Sequence, residues 1–229
     1  RVCLKSPDGR FGKTMHTRED KILLADIGNS YFHIFDGNKV SHLSYDEAIE
    51  KYHQQNIRYI SVKHELDAQI KSIPAWQNVS DKIKLLGAYP TMGVDRKALC
   101  LSRKEGIFVD AGTAITVDVV EEGKYQGGFI LPGIKAYLQA YKSISDVLDI
   151  SLNHTVDLHR LPLTTKDGIS YGIIASIKAL IDKHRQEKTL YVTGGDGMFL
   201  SSFFEKAVFD ETLVFEGMQK ALNVQMKKQ

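Results

Sequence analysis

The sequence predicts an α/β protein made of two similar half-domains, each a mixed β-sheet flanked by helices, with a cleft between them. Apolar runs of strand length alternate with amphipathic segments of helix length, which is the pattern of mixed sheets. A buried strand, a polar turn and a returning strand occur twice, around Asp26 and around Asp110. This repeat indicates two related halves whose turns face one another across a bound ligand.

The composition favours a globular protein from a reducing compartment. Of the 229 residues, 43% are hydrophobic and 25% are charged, and the net charge is only +2. Such mixed charges give no electrostatic case for nucleic-acid binding, and no apolar run approaches the roughly 20 residues of a membrane span. The two cysteines, Cys3 and Cys100, predict neither a disulfide framework nor a zinc site. We therefore expect a cytoplasmic protein without a nucleic-acid or membrane partner.

The domain boundaries follow from the same patterns. Residues 1–20 form a poorly patterned leader that is polar and charged and carries no secretory signal. Within the leader, Gly9 to Thr14 resembles the end of a phosphate-binding P-loop. Its glycines are too close together and no strand precedes them, so we reject that interpretation. We assign residues 21–105 to an N-terminal half-domain and residues 106–229 to a C-terminal one.

The N-terminal half begins with the first copy of the repeat. A strand over residues 21–26 leads through a turn into a second strand, which places Phe32, Ile34 and Phe35 in the core. The alternation that follows predicts, in order, a helix over Tyr45–Gln55, a strand over Ile57–Val62, a helix over His64–Ser72, a strand over Lys82–Leu86 and a helix over Lys97–Lys104.

The C-terminal half begins with the second copy, in which a strand ending at Asp110 returns as a strand carrying Ile115, Val117 and Val119. We expect Gly127-Gly128 to break the next strand. An amphipathic helix after Pro132-Gly133 and a linker over Ser151–Leu163 come next. The helix that follows is capped by Thr164 or Thr165, and its core face carries Ile169, Ile173, Ile174, Ile177, Leu180 and Ile181. The last predicted elements are a strand over Thr189–Thr193, a helix over Met198–Phe204, a strand over Thr212–Phe215 and a helix over Gly217–Val224.

The two polar turns share a chemistry suited to a phosphate chain that carries a cation. In each, a carboxylate (Asp26 or Asp110) is followed by a glycine and then by hydroxyl residues. Glycine lets backbone N–H groups approach an anion, the hydroxyl donates to it, and the carboxylate holds the metal or its water shell. One such turn alone is equally typical of an ordinary hairpin. The duplication favours the phosphate interpretation.

Three other polar features have two interpretations each. Asp95-Arg96 fits either a surface ion pair or a reactive site, in which the carboxylate accepts a proton and the guanidinium binds a substrate anion. Gly194 to Gly197 is either a tight turn or a place where the backbone lies against a flat ring such as adenine. Tyr89 either contacts substrate or packs.

Taken together, the motifs resemble those of the type III pantothenate kinases, a branch of the acetate and sugar kinase, chaperone ATPase and actin superfamily. The resemblance runs from about Ile22 to the C-terminus. The Gly-x-Asp-Arg and Asp-x-Gly-Thr-Ala motifs are specific to the family, whereas the two turns alone indicate the superfamily. The matching segments are Asp26-x-Gly28-Asn29-Ser30, Gly93-Val94-Asp95-Arg96, Asp110-Ala-Gly112-Thr113-Ala114-Ile-Thr116-Val-Asp118, Gly127-Gly128-x-Ile-x-Pro132-Gly133 and Thr193-Gly194-Gly195.

The resemblance implies two ribonuclease H-like (actin-like ATPase) half-domains with the active-site cleft between them. It also implies phosphorylation of the primary hydroxyl of pantothenate by ATP with Mg²⁺, the first step of coenzyme A biosynthesis, by a homodimer. By match to the family's motifs, the resemblance implies that Asp95 is the catalytic base and that Asp110 binds the monovalent cation (K⁺ or NH₄⁺). The implied substrate contacts are Tyr89, Gly93, Val94, Asp95, Arg96 and Thr165, the last reached across the dimer interface. The implied ATP contacts are Asp26, Ile27, Gly28, Asn29, Ser30, Tyr31, Phe32, His33 and Thr113.

The sequence departs from the family pattern at two positions. Ser30 stands where threonine is commoner, and Thr164 stands where asparagine usually precedes the substrate-contacting threonine. Two alternatives remain open at this point. One is a regulatory member that resembles the family's accessory transcription factors, which the presence of both Asp95 and Asp110 disfavours. The other is a kinase or phosphatase of the superfamily that acts on a sugar or a polyphosphate.

Overall fold

Two five-stranded mixed sheets with the same strand order form the framework of the molecule. The computed structural model describes residues 22–62 and 67–223. The first sheet has the order β3-β2-β1-β4-β5 and the second the order β8-β7-β6-β9-β10. The strands are β1 (Leu23–Ile27), β2 (Phe32–Phe35), β3 (Val40–Leu43), β4 (Ile57–Ser61), β5 (Trp76–Asn78), β6 (Gly106–Ala111), β7 (Ala114–Glu121), β8 (Lys124–Pro132), β9 (Leu190–Thr193) and β10 (Val208–Phe209).

The two sheets also share their strand directions, so the duplication predicted from the two turns extends to all of both sheets. In the first, β2 and β3 run antiparallel to their neighbours while β4 and β5 continue parallel to β1. In the second, β7 and β8 are antiparallel while β9 and β10 continue parallel to β6. The sheets lie on either side of residue 105, where the sequence places the boundary between half-domains.

The helices are α1 (Tyr45–Tyr52), α2 (Asp67–Lys71), α3 (Val94–Leu101), α4 (Ile134–Ile144), α5 (Thr165–Arg185), α6 (Gly197–Ser201) and α7 (Leu213–Leu222). Side-chain hydrogen bonds to the backbone cap the N-termini of α1 and α5. Ser44 and Glu47 form a capping box at α1. Thr164, one of the two predicted caps, accepts a hydrogen bond from the backbone N–H of Asp167 at 3.1 Å. None of the described helices is long and apolar enough to cross a membrane.

A shared core joins the two half-domains. Leu24 and Ile60 of the first sheet and Phe108 and Val120 of the second belong to one buried cluster. Helices α3 and α7 lie within this cluster, contributing among others Leu99 and Phe215. Each sheet has a further core on its other face. Helix α3, which begins at Val94 in the Gly-x-Asp-Arg motif, is therefore held by both halves.

Two strand predictions in this region are wrong. Trp76–Asn78 forms the edge strand β5, while the predicted strand over Lys82–Leu86 is an irregular segment after a 3₁₀ turn at Ser80–Lys82. The predicted strand over Thr212–Phe215 is instead the first part of α7, which begins at Leu213. Leu213, Val214, Phe215 and Met218 are all buried. A helix buried on several sides has the same short apolar run as a buried strand.

Two further expectations are corrected. Gly127-Gly128 does not break the strand, because β8 runs through both glycines with an irregular register opposite Val119 and Val120. Leu180 is 39% exposed and lies outside the core face of α5. The leader over residues 1–20 lies outside the described residues, as does the first part of the helix predicted over residues 64–72.

Candidate active site

The two repeated turns meet between the half-domains. The turn after β1 is closed by the Gly28 N–H, which donates to the carbonyl of Tyr31 at 3.1 Å, and the turn after β6 by the Gly112 N–H, which donates to that of Ala114 at 3.1 Å. The Ser30 Oγ and Thr113 Oγ1 hydroxyls lie 2.8 Å apart across the cleft. The hydroxyls of both predicted phosphate turns therefore line one site.

Several buried carboxylates lie close to one another near these turns. Burial raises the pKa of Asp26 well above its usual value, and the charges of Asp95 and Asp110 raise it further. The pKa of Asp110 rises to about 7, first because of burial and then because of the charges of Asp95 and Asp118. Such shifts require the carboxylates to be near one another in a poorly solvated place, which is typical of a site that binds a cation.

The donor set suits a cation that is shared with a phosphate chain. Asp26 Oδ1 is buried and has no hydrogen-bond partner among the described residues, so it is available as a ligand. No three His, Cys, Asp or Glu side chains within residues 22–62 and 67–223 are grouped to hold one metal ion. Mg²⁺ is commonly held by one or two carboxylates, with water and substrate phosphate as its other ligands. The Asp26 and Asp110 carboxylates fit that mode of binding.

Asp95 lies in the first turn of α3, because this helix starts three residues earlier than the predicted Lys97. Its Oδ1 accepts a hydrogen bond from the backbone N–H of Arg96 at 2.8 Å. Burial raises the pKa of Asp95, the hydrogen bond and charge of Arg96 lower it, and the charge of Asp118 raises it. Gly93, the N-cap of α3, leaves room for this carboxylate, since a Cβ there would collide with Asp95 Oδ1.

Arg96 does not form a surface ion pair with Asp95. Arg96 is only 6% exposed, and its side chain binds Asp118 through two hydrogen bonds, Nε to Oδ2 at 3.0 Å and Nη2 to Oδ1 at 2.6 Å. Nη1 donates to the Tyr89 hydroxyl at 2.7 Å, and Nη2 lies 3.4 Å from the Tyr125 hydroxyl. Of the two interpretations of Asp95-Arg96, the surface pair is therefore excluded.

The other residues assigned to ATP contact differ in what they can reach. The side chains of Ile27 and Phe32 are fully buried in the core of the first sheet, so only their backbone can face a ligand. Asn29, Ser30 and Tyr31 form the exposed part of the turn, and Tyr31 is 56% exposed.

His33, the last residue assigned to ATP contact, lies behind the first turn. Its Nδ1 lies 2.6 Å from His42 Nδ1 on the adjacent strand. Burial, followed by the charge of His42, lowers the pKa of His33 to about 4, so His33 is neutral near pH 7. A neutral His33 adds no positive charge for a phosphate to bind.

The remaining predicted residues are spread over both halves. Val94 opens α3 and packs on the shared core. Thr165 is exposed at the start of α5, and among the described residues its side chain has no hydrogen bond to the cleft. Gly194 has a φ of 90°, and a Cβ there would lie 2.6 Å from the carbonyl oxygen of Ala111. The glycine turn after β9 therefore packs directly behind Asp110.

Sequence reasoning gave no role to three residues of the site. Asp118 and Tyr125 contact Arg96, and Thr116 pairs with Asp110 across β6 and β7 with its hydroxyl buried and without a hydrogen-bond partner among the described residues. A signal for two of them was present. Thr116 and Asp118 alternate with valines along β7, which places both polar side chains on one face of the sheet.

Comparison with known proteins agrees with the site. A sequence model of the type III pantothenate kinase family matches residues 59–187. The type III pantothenate kinase of Helicobacter hepaticus is 41% identical over 206 residues, which cover 90% of this chain and 100% of that protein. The crystal structure of a candidate Baf family transcriptional activator from Campylobacter jejuni matches with a TM-score of 0.80 at 38% identity, covering 88% of this chain and 97% of that one.

A more distant match bears on the fold alone. A candidate 2-dehydro-3-deoxygalactonokinase from Sinorhizobium meliloti matches with a TM-score of 0.52 at 9% identity, covering 88% of this chain and 98% of that one. The predicted α/β class, with the sugar-kinase and actin-like ATPase architecture, is thereby confirmed. From the family match and the extent of identity, the chain belongs to the type III pantothenate kinase family.

Proposed function

We propose that this chain transfers the γ-phosphoryl group of ATP to the primary hydroxyl of pantothenate, giving 4'-phosphopantothenate, the first step of coenzyme A biosynthesis. The observation that carries the proposal is the meeting of the two phosphate-type turns, Ser30 to Thr113 at 2.8 Å, with Asp95 close enough to raise the pKa of both Asp26 and Asp110. Phosphoryl transfer needs mainly positioning and charge neutralisation, and this arrangement supplies both.

In the proposed reaction Asp95 is the general base. Its carboxylate accepts the proton of the pantothenate hydroxyl as that oxygen forms a bond to the γ-phosphorus, and the bond from this phosphorus to the bridging oxygen of ADP breaks. Burial makes the Asp95 carboxylate more basic than an exposed one, which suits proton acceptance near neutral pH. The Ser30 and Thr113 hydroxyls would donate to phosphate oxygens.

Asp26 and Asp110 would hold the cations. Bound Mg²⁺ would neutralise the charge of the phosphate oxygens. By the match to the family's motifs we assign Asp110 to a monovalent cation, K⁺ or NH₄⁺, which leaves the Asp26 carboxylate, with its unpartnered Oδ1, and the substrate phosphates for Mg²⁺. We further propose a homodimer in which Thr165 contacts the pantothenate bound by the partner subunit. The buried free thiol of Cys100 suits a cytoplasmic protein.

Turnover of pantothenate tests the proposal directly. The purified chain, with ATP, Mg²⁺ and K⁺, is incubated with pantothenate or with a panel of sugars, and the phosphorylated product is identified by mass spectrometry. We expect product from pantothenate alone. Phosphorylation of a sugar but not of pantothenate would contradict the assignment.

Asp95→Asn tests the role of the base. We expect this change to lower kcat by at least about 100-fold, since general-base catalysis contributes a factor of this size, with an unchanged circular dichroism spectrum. Asp46→Asn, a change of the same type at an exposed residue in the first turn of α1, is the control and should retain full activity. Near-normal turnover by the Asp95 variant would exclude Asp95 as the base.

The name of the Campylobacter jejuni structure favours a second candidate, a Baf-type transcriptional activator. Retention of Asp26, Asp95 and Asp110 in one cluster argues for catalysis instead. Salt-dependent DNA binding without pantothenate turnover would support the activator.

A further inference from the structure

We propose that Asp118 is a positioning residue for the acceptor substrate. Through the Arg96 guanidinium it holds the Tyr89 hydroxyl as a hydrogen-bond donor directed into the cleft. The inference rests on the proposed function, because it concerns how the pantothenate end of that reaction is recognised. It assigns Asp118 a task in the reaction although Asp118 itself does not reach the substrate.

The pair formed by Asp118 and Arg96 is buried and tightly constrained. Asp118 is fully buried, and each of its two carboxylate oxygens accepts a hydrogen bond from Arg96. Asp118 lies on β7 opposite Gly128 of β8. A Cβ at Gly128 would lie 2.5 Å from Asp118 Oδ1, so the glycine provides the space that the carboxylate occupies. An ion pair of this kind, with two parallel hydrogen bonds, fixes the plane of the guanidinium.

That fixed guanidinium determines which way the Tyr89 hydroxyl points. A guanidinium has N–H donors and no acceptor. Because Nη1 of Arg96 donates to the Tyr89 oxygen at 2.7 Å, the hydrogen of that hydroxyl is free to bind another acceptor. Tyr89 is 40% exposed, whereas Tyr125, the second tyrosine beside Arg96, is 7% exposed. The Tyr125 hydroxyl also hydrogen-bonds to Asp118, so it is Tyr89 that presents a donor to the cleft.

The same contacts define the chemical class of substrate group that fits. The positive charge of Arg96 is already compensated by Asp118, so we assign Arg96 to orienting the Tyr89 hydroxyl rather than to binding a substrate anion as a free cation. A polarised O–H donor suits a carboxylate or an amide carbonyl oxygen, and a hydrogen bond donated by a guanidinium into the hydroxyl strengthens it as a donor. Pantothenate carries both acceptor groups. Asp95 directly precedes Arg96, so the proposed base and the residue that orients the Tyr89 hydroxyl both lie in the first turn of α3.

A double-mutant cycle tests whether Asp118 acts on Tyr89 through the hydrogen bonds of Arg96. The proteins are the wild type, Tyr89→Phe, Asp118→Asn and the double variant, assayed for kcat and for the KM of each substrate well below their Tm values. Losing a hydrogen bond to a charged group typically costs about tenfold in affinity. We therefore expect each single change to raise the pantothenate KM by about tenfold while the ATP KM stays within about twofold. The double variant should be no worse than Asp118→Asn alone, because both changes remove the same contact.

A second cycle covers the case in which Asp118→Asn, with its buried unpaired arginine, does not fold. Arg96→Lys keeps the positive charge beside Asp118 but cannot donate to Asp118 and Tyr89 in one plane. It should raise the pantothenate KM as Tyr89→Phe does, again without additivity. The control is Glu121→Gln, which removes the acidic partner of Lys188 at the end of β7, the strand that carries Asp118, and should leave both KM values unchanged.

The outcomes separate the two levels of the proposal. Additive effects in both cycles, or a lowered Tm with an unchanged pantothenate KM, would mean that Asp118 and Arg96 only stabilise the fold, and would overturn the inference alone. Absence of pantothenate turnover by the wild type would overturn the proposed function and this inference with it.

Discussion

At the scale of single residues, the site is dominated by carboxylates whose pKa is raised first by burial and then by the charge of neighbouring carboxylates. The pKa of Asp110 reaches about 7, whereas an unfolded aspartate titrates near about 4. Between about pH 4 and about pH 7 the folded chain therefore keeps a proton that the unfolded chain has lost. The stability contributed by this group is fully present below about pH 4 and is lost as the pH rises through about 7.

Asp110→Asn should remove this pH dependence. We expect the Tm of the wild type to fall more steeply than that of the variant from pH 5 to pH 8, and the variant to be more stable by several degrees at pH 8. Differential scanning calorimetry across this range measures both curves. Parallel curves would show that Asp110 does not take up the proton, and Asp46→Asn, at an exposed residue of α1, is the control that should follow the wild type.

Potassium gives a second measurement on the same residue. A cation bound only by the folded state raises its stability, and it must displace the proton from Asp110 to bind. Potassium chloride should therefore raise the Tm of the wild type more at pH 8 than at pH 6, with sodium chloride at equal ionic strength as the reference. An equal response in Asp110→Asn would remove Asp110 from the cation site.

At the scale of elements, the contact between α3 and α7 positions the helix that carries the proposed base, Asp95, in its first turn. Gly217 of α7 lies against the backbone of α3, where an added Cβ would collide with the carbonyl group of Ala98. Helix α7 also contacts β1, the strand that carries Asp26. A close helix contact thus links Asp95, the proposed base, to the first predicted phosphate turn.

Gly217→Ala should separate these helices. We expect a loss of about 1 to 3 kcal/mol in the free energy of unfolding, the usual cost of overpacking, together with a lower kcat. Gly168→Ala is the matched control, since Gly168 lies in α5 with open space around its Cβ position. Alanine there should stabilise by up to about 1 kcal/mol through helix propensity. Urea unfolding measures the free energy of unfolding of both variants. An equal change in the two variants would contradict the proposed contact between α3 and α7.

At the scale of the whole molecule, two sheets share one core and leave a surface rich in exposed apolar side chains. Ile144, Val147, Leu161 and Leu163 are between 71% and 99% exposed, and all lie on the stretch of chain that runs from the last residue of α4 to the start of α5. Exposed apolar side chains grouped in this way are typical of an interaction surface. Leu163 precedes Thr165 by two residues, which is why we place the proposed dimer contact here.

Leu163→Asp should weaken the proposed dimer. We expect light scattering to report a shift from dimer to monomer, and the pantothenate KM to rise because Thr165 loses its place across the interface. Val208→Asp on the edge strand β10, at a position 41% exposed, is the control and should remain dimeric. A monomeric wild type with full activity would contradict both the dimer and the role of Thr165.

Much of the framework was predictable because it depends on neighbouring residues. The strands that carry Asp26 and Asp110, each ending one residue later, follow from short apolar runs and from the glycine turns that come after them. The helix capped by Thr164 follows from its apolar period and from its hydroxyl cap. The duplication itself follows from reading the two turns together. The turns and the helix cap depend on contacts within a few residues of chain, and the duplication needs only a comparison of two such local patterns, so all of them can be predicted from the sequence alone.

Only the tertiary structure decided which side chains meet. Arg96 pairs with Asp118, 22 residues away, rather than with its neighbour Asp95. The apolar run at Leu213 becomes a helix because it is enclosed between both half-domains. The contact of Ser30 with Thr113 joins residues 83 positions apart. Periodicity indicates which face of an element is buried, but the partner on that face depends on how the two sheets pack around α3 and α7.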